Sequence, residues 1–254
     1  MTAPFIGAKV LTSIDLGELL PLLNKVALFN SRWGFSNEDK ELAEDILDNV
    51  IYTCKDNKLI DAKIVYGYFK GYSKGDSLFI EADGNKYQFD FPRQREKENL
   101  CIADFFDKED ATIPIQIVTV GSKIIDYGEA LNANGEFANY LFYSGLGAEC
   151  AEALADYSHQ MILEELCHPE RSEGSRVSTL DPSVATLPQD DVKIGQRFSL
   201  GYPPCPNIED QQKIFCLLKP DRIGVRLTET FLMEPEYSTS AIISLDPNAK
   251  YFSI

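Results

Sequence analysis

The chain has 254 residues and a mass of 28.5 kDa, with 44% hydrophobic and 25% charged residues, enough apolar material for one large core without covalent staples. Its net charge of −16 repels phosphate backbones and no Lys/Arg cluster interleaves with aromatics, so nucleic acid is not an expected partner. No apolar h-region opens the chain and no window reaches the length of a membrane span, which predicts a cytoplasmic protein with no membrane association. Six cysteines without a CxxC pair read as mostly buried thiols, and two histidines leave little material for imidazole metal ligation or a His-based triad.

In chain order, Asp15 reads first as a helix N-cap with Leu16, Leu19 and Leu20 behind it. Ser36 caps a second helix, with Glu38 and Asp39 in its first turn and Leu42, Ala43, Ile46, Leu47, Val50 and Cys54 on one buried face. Strands are predicted at Ile64 to Tyr72, Leu78 to Ala82, Lys86 to Phe91 and Ile113 to Val120, the middle pair joined by a hairpin at Asp83-Gly84-Asn85. Ile124 to Leu166 reads as helix, with Gly145 and Gly147 allowing close packing. Residues 167–190 form a polar, breaker-rich stretch, expected to be a flexible insertion loop.

Arg197 to Pro206 is the most shaped stretch: three prolines and a glycine fix a stiff loop that opens on a guanidinium fork and presents Tyr202. As residues alone it is equally a rigid turn or a ligand wall. Beyond it, Asn207 caps a short helix ending at Pro220, and strands are expected at Ile223 to Thr228, Ser238 to Ser244 and Lys250 to Ile254. Strands on both sides of a helical middle predict an α+β fold. One domain, residues 1–254, would hold a central, mainly antiparallel twisted sheet with packed helices.

Arg197 with Gly201-Tyr202-Pro203-Pro204-Cys205-Pro206, followed by Ile223-Gly224, Leu227-Thr228-Glu229, Met233 with Pro235, and Lys250-Tyr251-Phe252, resembles the activation domain of cobalamin-dependent methionine synthase. Phe91-Pro92-Arg93-Gln94, Cys101 to Phe105, and Glu152-Ala153 through Tyr157-Ser158-His159 resemble further family stretches in the right order, so the resemblance covers nearly the whole chain. Phe198-Ser199-Leu200 stands where the family commonly carries Pro-Ala-Pro.

That resemblance implies binding of S-adenosylmethionine and its use in the reductive methylation of cob(II)alamin, with a flavodoxin-type donor supplying the electron. By position, Arg197 would pair with the ligand's carboxylate and Asp15 with its ammonium. Tyr251 and Phe252 would meet the nucleoside, backbone groups near Ser199 and Gly201 the adenine, and Tyr202 is a further ligand-binding position. Glu152 and Asp191 fall on acidic positions near the ligand. The ligand's carboxylate, ammonium, sulfonium and aromatic base call for one guanidinium, acids and an aromatic wall. The expectation is of a stand-alone reactivation subunit. Its partner would be a separate cobalamin-binding methionine synthase module; the alternative is an S-adenosylmethionine-binding module serving another corrinoid protein or a sensing role.

Overall fold

The computed structural model describes residues 3–95, 98–167 and 195–254, so the expected loop beyond Cys167 and the candidate Asp191 lie outside the described residues. Strand β1 (Gly7–Ile14) leads into Asp15, whose Oδ1 accepts from the Gly17 amide at 2.7 Å and caps helix α1 (Leu16–Leu19). Ser36 and Asp39 form a capping box, with Asp39 Oδ2 accepting from the Ser36 amide at 3.0 Å and from its hydroxyl at 2.6 Å. Helix α2 (Lys40–Asp56) follows and buries Ala43, Leu47, Val50 and Cys54; each large apolar side chain on that face contributes about 1.5–3 kcal/mol.

Strands β2 (Ala62–Lys74), β3 (Ser77–Ala82), β4 (Asn85–Asp90) and β5 (Ala111–Thr119) build the sheet. The β3–β4 turn places Asp83 (φ 51°) and Gly84 (φ 75°) in the left-handed region, as a two-residue hairpin turn requires. Helices α3 (Lys123–Ala133) and α4 (Phe137–Cys167) come next. After β6 (Gln196–Phe198) come α5 (Gln211–Leu218), the small hairpin of β7 (Arg226–Leu227) and β8 (Met233–Glu234), and finally β9 (Ser238–Ser244).

The seven-stranded sheet runs β4-β3-β2-β5-β9-β6, with β1 also on β2, and every pair is antiparallel. One row crosses five strands: Ala8, Gly67, Ile115, Ile242 and Phe198 stand opposite one another in turn. Alternation separates two cores. Ile64, Tyr66, Tyr68, Val118 and Ile243 face α2 and α4, whereas Val65, Phe69, Ile115, Ile117 and Phe198 pack with Ile214 and Leu218 of α5 and with Ile102 and Phe105. Helix α4 is tied down at both ends of its contact: Gln116 Nε2 donates to Ala155 O at 3.0 Å, and the Tyr66 and Tyr68 hydroxyls donate to the two Glu165 oxygens at 2.8 and 2.9 Å. Gly145 and Gly147 let other segments close on α4, since a Cβ at Gly145 would fall 2.7 Å from Trp33 Nε1 and one at Gly147 2.5 Å from the Tyr237 ring.

Three expectations differ from the structure. β1 carries no regular alternation and was not anticipated; its pairing with β2 supplies the reason to be a strand. Of Ile223 to Thr228, only Arg226 and Leu227 form a strand, because Pro220–Ile223 tighten into a 3₁₀ turn closed by Gly224 at φ 80°. Lys250 to Ile254 forms no strand: β9 already has β5 and β6 on its two sides, so this tail is held by side chains. Gln94 Nε2 donates to Ser253 O at 2.6 Å, Lys250 pairs with Glu98 at 2.5 Å, and Phe252 is buried against Phe105.

Candidate functional site

β6 is the outer strand of the sheet among the described residues, and its three residues divide between the two faces. Arg197 points to the α4 side, where its Nη2 donates to Asp156 Oδ1 at 2.6 Å. Phe198 points the other way and is fully buried. The outward carbonyl of Arg197 accepts from the Gln196 side chain at 2.9 Å.

Asp156 belongs to an acidic stripe on α4. Glu149, Glu152 and Asp156 are spaced three and four apart and therefore share one face. Glu149 is nearly buried, with 5% of its side chain exposed, and is neutralised by Arg32, whose Nε donates to Glu149 Oε1 at 3.1 Å. Arg32 is delivered by a π-helical turn at Ala27–Arg32, in which the Trp33 amide reaches back to Leu28 O at 3.0 Å, and the Trp33 indole is fixed by donating to Phe142 O at 3.2 Å. Each outer acid thus has an arginine. Glu152, between them, has no such direct partner among the described ion pairs.

The electrostatics agree with that arrangement. Burial raises the Glu152 pKa above the usual carboxylate range; Arg197 and Arg32 pull it down, while Asp156 and Glu149 push it further up. Asp156 is likewise raised by its dense surroundings against the pull of Arg197. His159, one turn further along α4, is pushed down to about 4 by burial and by the Arg197 charge, so its ring is neutral. The face therefore offers one guanidinium with donors beyond those Asp156 uses, and one uncommitted acid.

The loop beyond β6 forms the other wall. Gly201 takes φ +90°, a conformation suited to glycine, and its amide donates to Cys205 O at 2.9 Å, while the Cys205 amide donates to Tyr202 O at 2.9 Å. The buried Cys205 thiol donates to Ser199 O at 2.7 Å, closing the loop from inside, and its pKa is pushed up to about 12, chiefly by burial. This internal bonding leaves Tyr202 exposed at 54%. Tyr251 lies parallel to the Phe198 ring at 6.3 Å and remains 46% exposed, with its hydroxyl pushed up to about 12 by burial and by the nearby Cys205 and Tyr202. Phe252 supports this wall from within rather than lining it.

Among the described residues no hydrogen bond or ion pair joins Asp15 to Arg197, Glu152 or Asp156. The carboxylate of Asp15 is used in capping α1, its first reading from sequence.

Asp156, Arg32, Glu149 and His159 were not singled out from sequence. The three acids were legible as a helical stripe around Glu152. Arg32 was not, because its place depends on a π turn meeting a helix more than a hundred residues away. A cavity of about 470 Å³ lined by Leu20, Leu23, Leu47 and Ile51 among others shares no residue with the cluster around Arg197.

Residues 30–254 match the family described as vitamin B12 dependent methionine synthase, activation domain. The chain belongs to that family. It is 33% identical to the methionine synthase of Mycobacterium tuberculosis (strain ATCC 25618 / H37Rv) over 279 aligned residues, and 33% identical to that of Mycobacterium leprae (strain TN) over 282. Both alignments cover 99% of this chain and 23% of the relative, so the chain spans about a quarter of the length of these synthases. The crystal structure of the MetH reactivation domain bound to AdoHcy superposes with a TM-score of 0.80 at 22% identity, covering 99% of this chain and 82% of that one. The activation-domain family and the antiparallel sheet with packed helices thus agree, and the Arg-to-Pro stretch begins on the outer strand of the sheet among the described residues.

Proposed function

We propose that this activation-domain protein binds S-adenosylmethionine along the β6 edge and presents it to a separate cobalamin-binding methionine synthase module for reductive methylation. The observation that carries the reading is Arg197 held beside the Glu152–Asp156 face on one side of β6, with the exposed Tyr251 and Tyr202 rings on the other. The residues fit the ligand: the guanidinium retains donors for a carboxylate, Glu152 is available to an ammonium, and the two tyrosines offer flat surfaces to a nucleoside. Gly201, Ser199 and their backbone lie between these two poles. The AdoHcy bound by the structurally similar MetH reactivation domain is the demethylated form of the same ligand, which supports this choice.

Bound S-adenosylmethionine would supply the methyl group to the partner's cobalamin and leave as S-adenosylhomocysteine, with one electron from a flavodoxin-type donor balancing the step. The protein's own part is positioning. Arg197 and Glu152 fix the amino-acid head, the tyrosine wall fixes the nucleoside, and the rigid loop keeps the two at a constant separation. A general base is not required for this transfer.

Calorimetry with S-adenosylmethionine tests the site, and conversion of cob(II)alamin on a methionine synthase module with a chemical reductant tests the role. Micromolar-range or weaker binding with methylation is the expected result. Absence of binding overturns the site; binding without methylation favours a module serving another corrinoid protein.

A further inference from the structure

Three polar atoms under the Arg197–Asp156 pair have no hydrogen-bond partner among the described residues: Gln116 Oε1, Ser158 Oγ and His159 Nε2, each shielded from solvent. Gln116 is 1% exposed and Ser158 fully buried. The three belong to one place. Gln116 donates through its Nε2 to Ala155 O, and Ser158 and His159 follow Ala155 by three and four residues, one turn further along the same side of α4. Gln116 stands on β5 opposite Ala241 of β9, and β6 with Arg197 is the next strand out, so the cluster lies between the sheet and the acidic face of α4.

Leaving three such groups unpaired in a low-dielectric interior is costly, and buried polar groups in folded proteins are paired with protein or with ordered water. Their chemistry is complementary to one molecule. The Gln116 carbonyl oxygen only accepts, the Ser158 hydroxyl can donate, and a neutral imidazole protonated on Nδ1 accepts at Nε2. A water molecule has two donors for Gln116 and His159 and a lone pair for Ser158. One nitrogen and two neutral oxygens, with no carboxylate, do not suit a divalent cation.

We propose that Gln116, Ser158 and His159 enclose an internal site for one long-lived water molecule, which fixes His159 as its Nδ1–H tautomer and pins the acid-bearing face of α4 beneath Arg197. The three are positioning residues. The neutral ring leaves the Arg197 charge paired with Asp156 unopposed by an imidazolium, a consequence that rests on the ligand-site reading; the water does not.

The experiment is nuclear magnetic resonance on the full chain labelled with ¹⁵N and ¹³C, without ligand, at pH 7. With only two histidines in the chain, His168→Asn assigns the His159 ring. The expected result is an unprotonated Nε2, a protonated Nδ1, and cross-relaxation between a long-lived water and the Ser158 or His159 amide. That cross-relaxation is expected to disappear in Ser158→Ala while the remaining spectrum is retained. A protonated Nε2, or no long-lived water in the wild-type chain, overturns the proposal even if Ser158→Ala fails to fold. Because no ligand is present, that outcome leaves the S-adenosylmethionine reading to its own test.

Discussion

Arg197 on the outermost strand and Asp156 on helix α4 meet at 2.6 Å, and this contact joins the edge of the sheet to the face of the helix that carries Glu152. The Arg197 side chain is only 20% exposed, so its charge acts in a partly desolvated setting where a carboxylate partner counts for more than at an open surface. Arg197→Ala is therefore expected to weaken S-adenosylmethionine binding by roughly 2 to 5 kcal/mol. Calorimetry on the variant checks this, with circular dichroism showing the fold retained. Arg197→Lys should recover part of the loss, since the charge returns without the planar fork.

Glu152 gives a pH prediction of definite sign. Its pKa is raised in the folded protein, first by burial and further by Asp156 and Glu149, so ionising it opposes folding. The stabilising contribution is present below the ordinary glutamate pKa and lost as pH rises through the elevated one. Glu152→Gln should accordingly leave thermal stability at pH 7 unchanged or slightly higher. Ligand affinity should move the other way, falling by about 1.5–3 kcal/mol because a charged acceptor for the ammonium is gone. In the wild-type protein affinity should decline as pH is lowered through the raised pKa, and that decline should vanish in the variant. Titration calorimetry from pH 8 to pH 5 distinguishes the two.

The sequence was informative where local rules and tertiary structure agree. The capping box at Ser36, the Asp83-Gly84 turn and the β9 segment are set by residues close together in the chain, and the structure places all three as expected. Arg197 and its loop were legible because glycine and proline spacing shapes a loop locally. Asp15 shows the opposite case: an acid beside an apolar helix looks the same whether it caps that helix or binds a ligand, and the structure shows its capping contact. The Arg32–Glu149 pair was invisible for a related reason, as it spans 117 residues and depends on two glycines admitting Trp33 and Tyr237 to the helix.

Those glycines can be tested directly. A Cβ at Gly145 would sit 2.7 Å from Trp33 Nε1 and 2.9 Å from Arg32 Cβ, closer than packing permits, so Gly145→Ala must push the π turn away from α4. Overpacking of this kind costs about 1–3 kcal/mol. Trp33 is the only tryptophan, so denaturant unfolding followed by its fluorescence should show a lower midpoint together with a changed native emission. Displacing Arg32 also releases Glu149, and ligand affinity should fall along with stability.

Tyr251 separates the two ends of the proposed ligand. It stacks on Phe198, and Phe198 in turn stacks on Phe105 at 6.1 Å with an 8° interplanar angle, so the exposed ring is backed by two buried ones and held flat without its hydroxyl. Tyr251→Phe should therefore bind S-adenosylmethionine nearly as the wild type does, whereas Tyr251→Ala should lose about 1–3 kcal/mol, the range for one base stacked on an aromatic side chain. Methionine, which has the amino-acid head and no nucleoside, should bind both variants and the wild type equally, and weakly. The Arg197 and Glu152 substitutions should weaken methionine and S-adenosylmethionine alike. Competition calorimetry across these four variants measures the pattern, and a Tyr251→Ala effect on methionine as large as that on S-adenosylmethionine would show that this ring faces some part of the ligand other than the base.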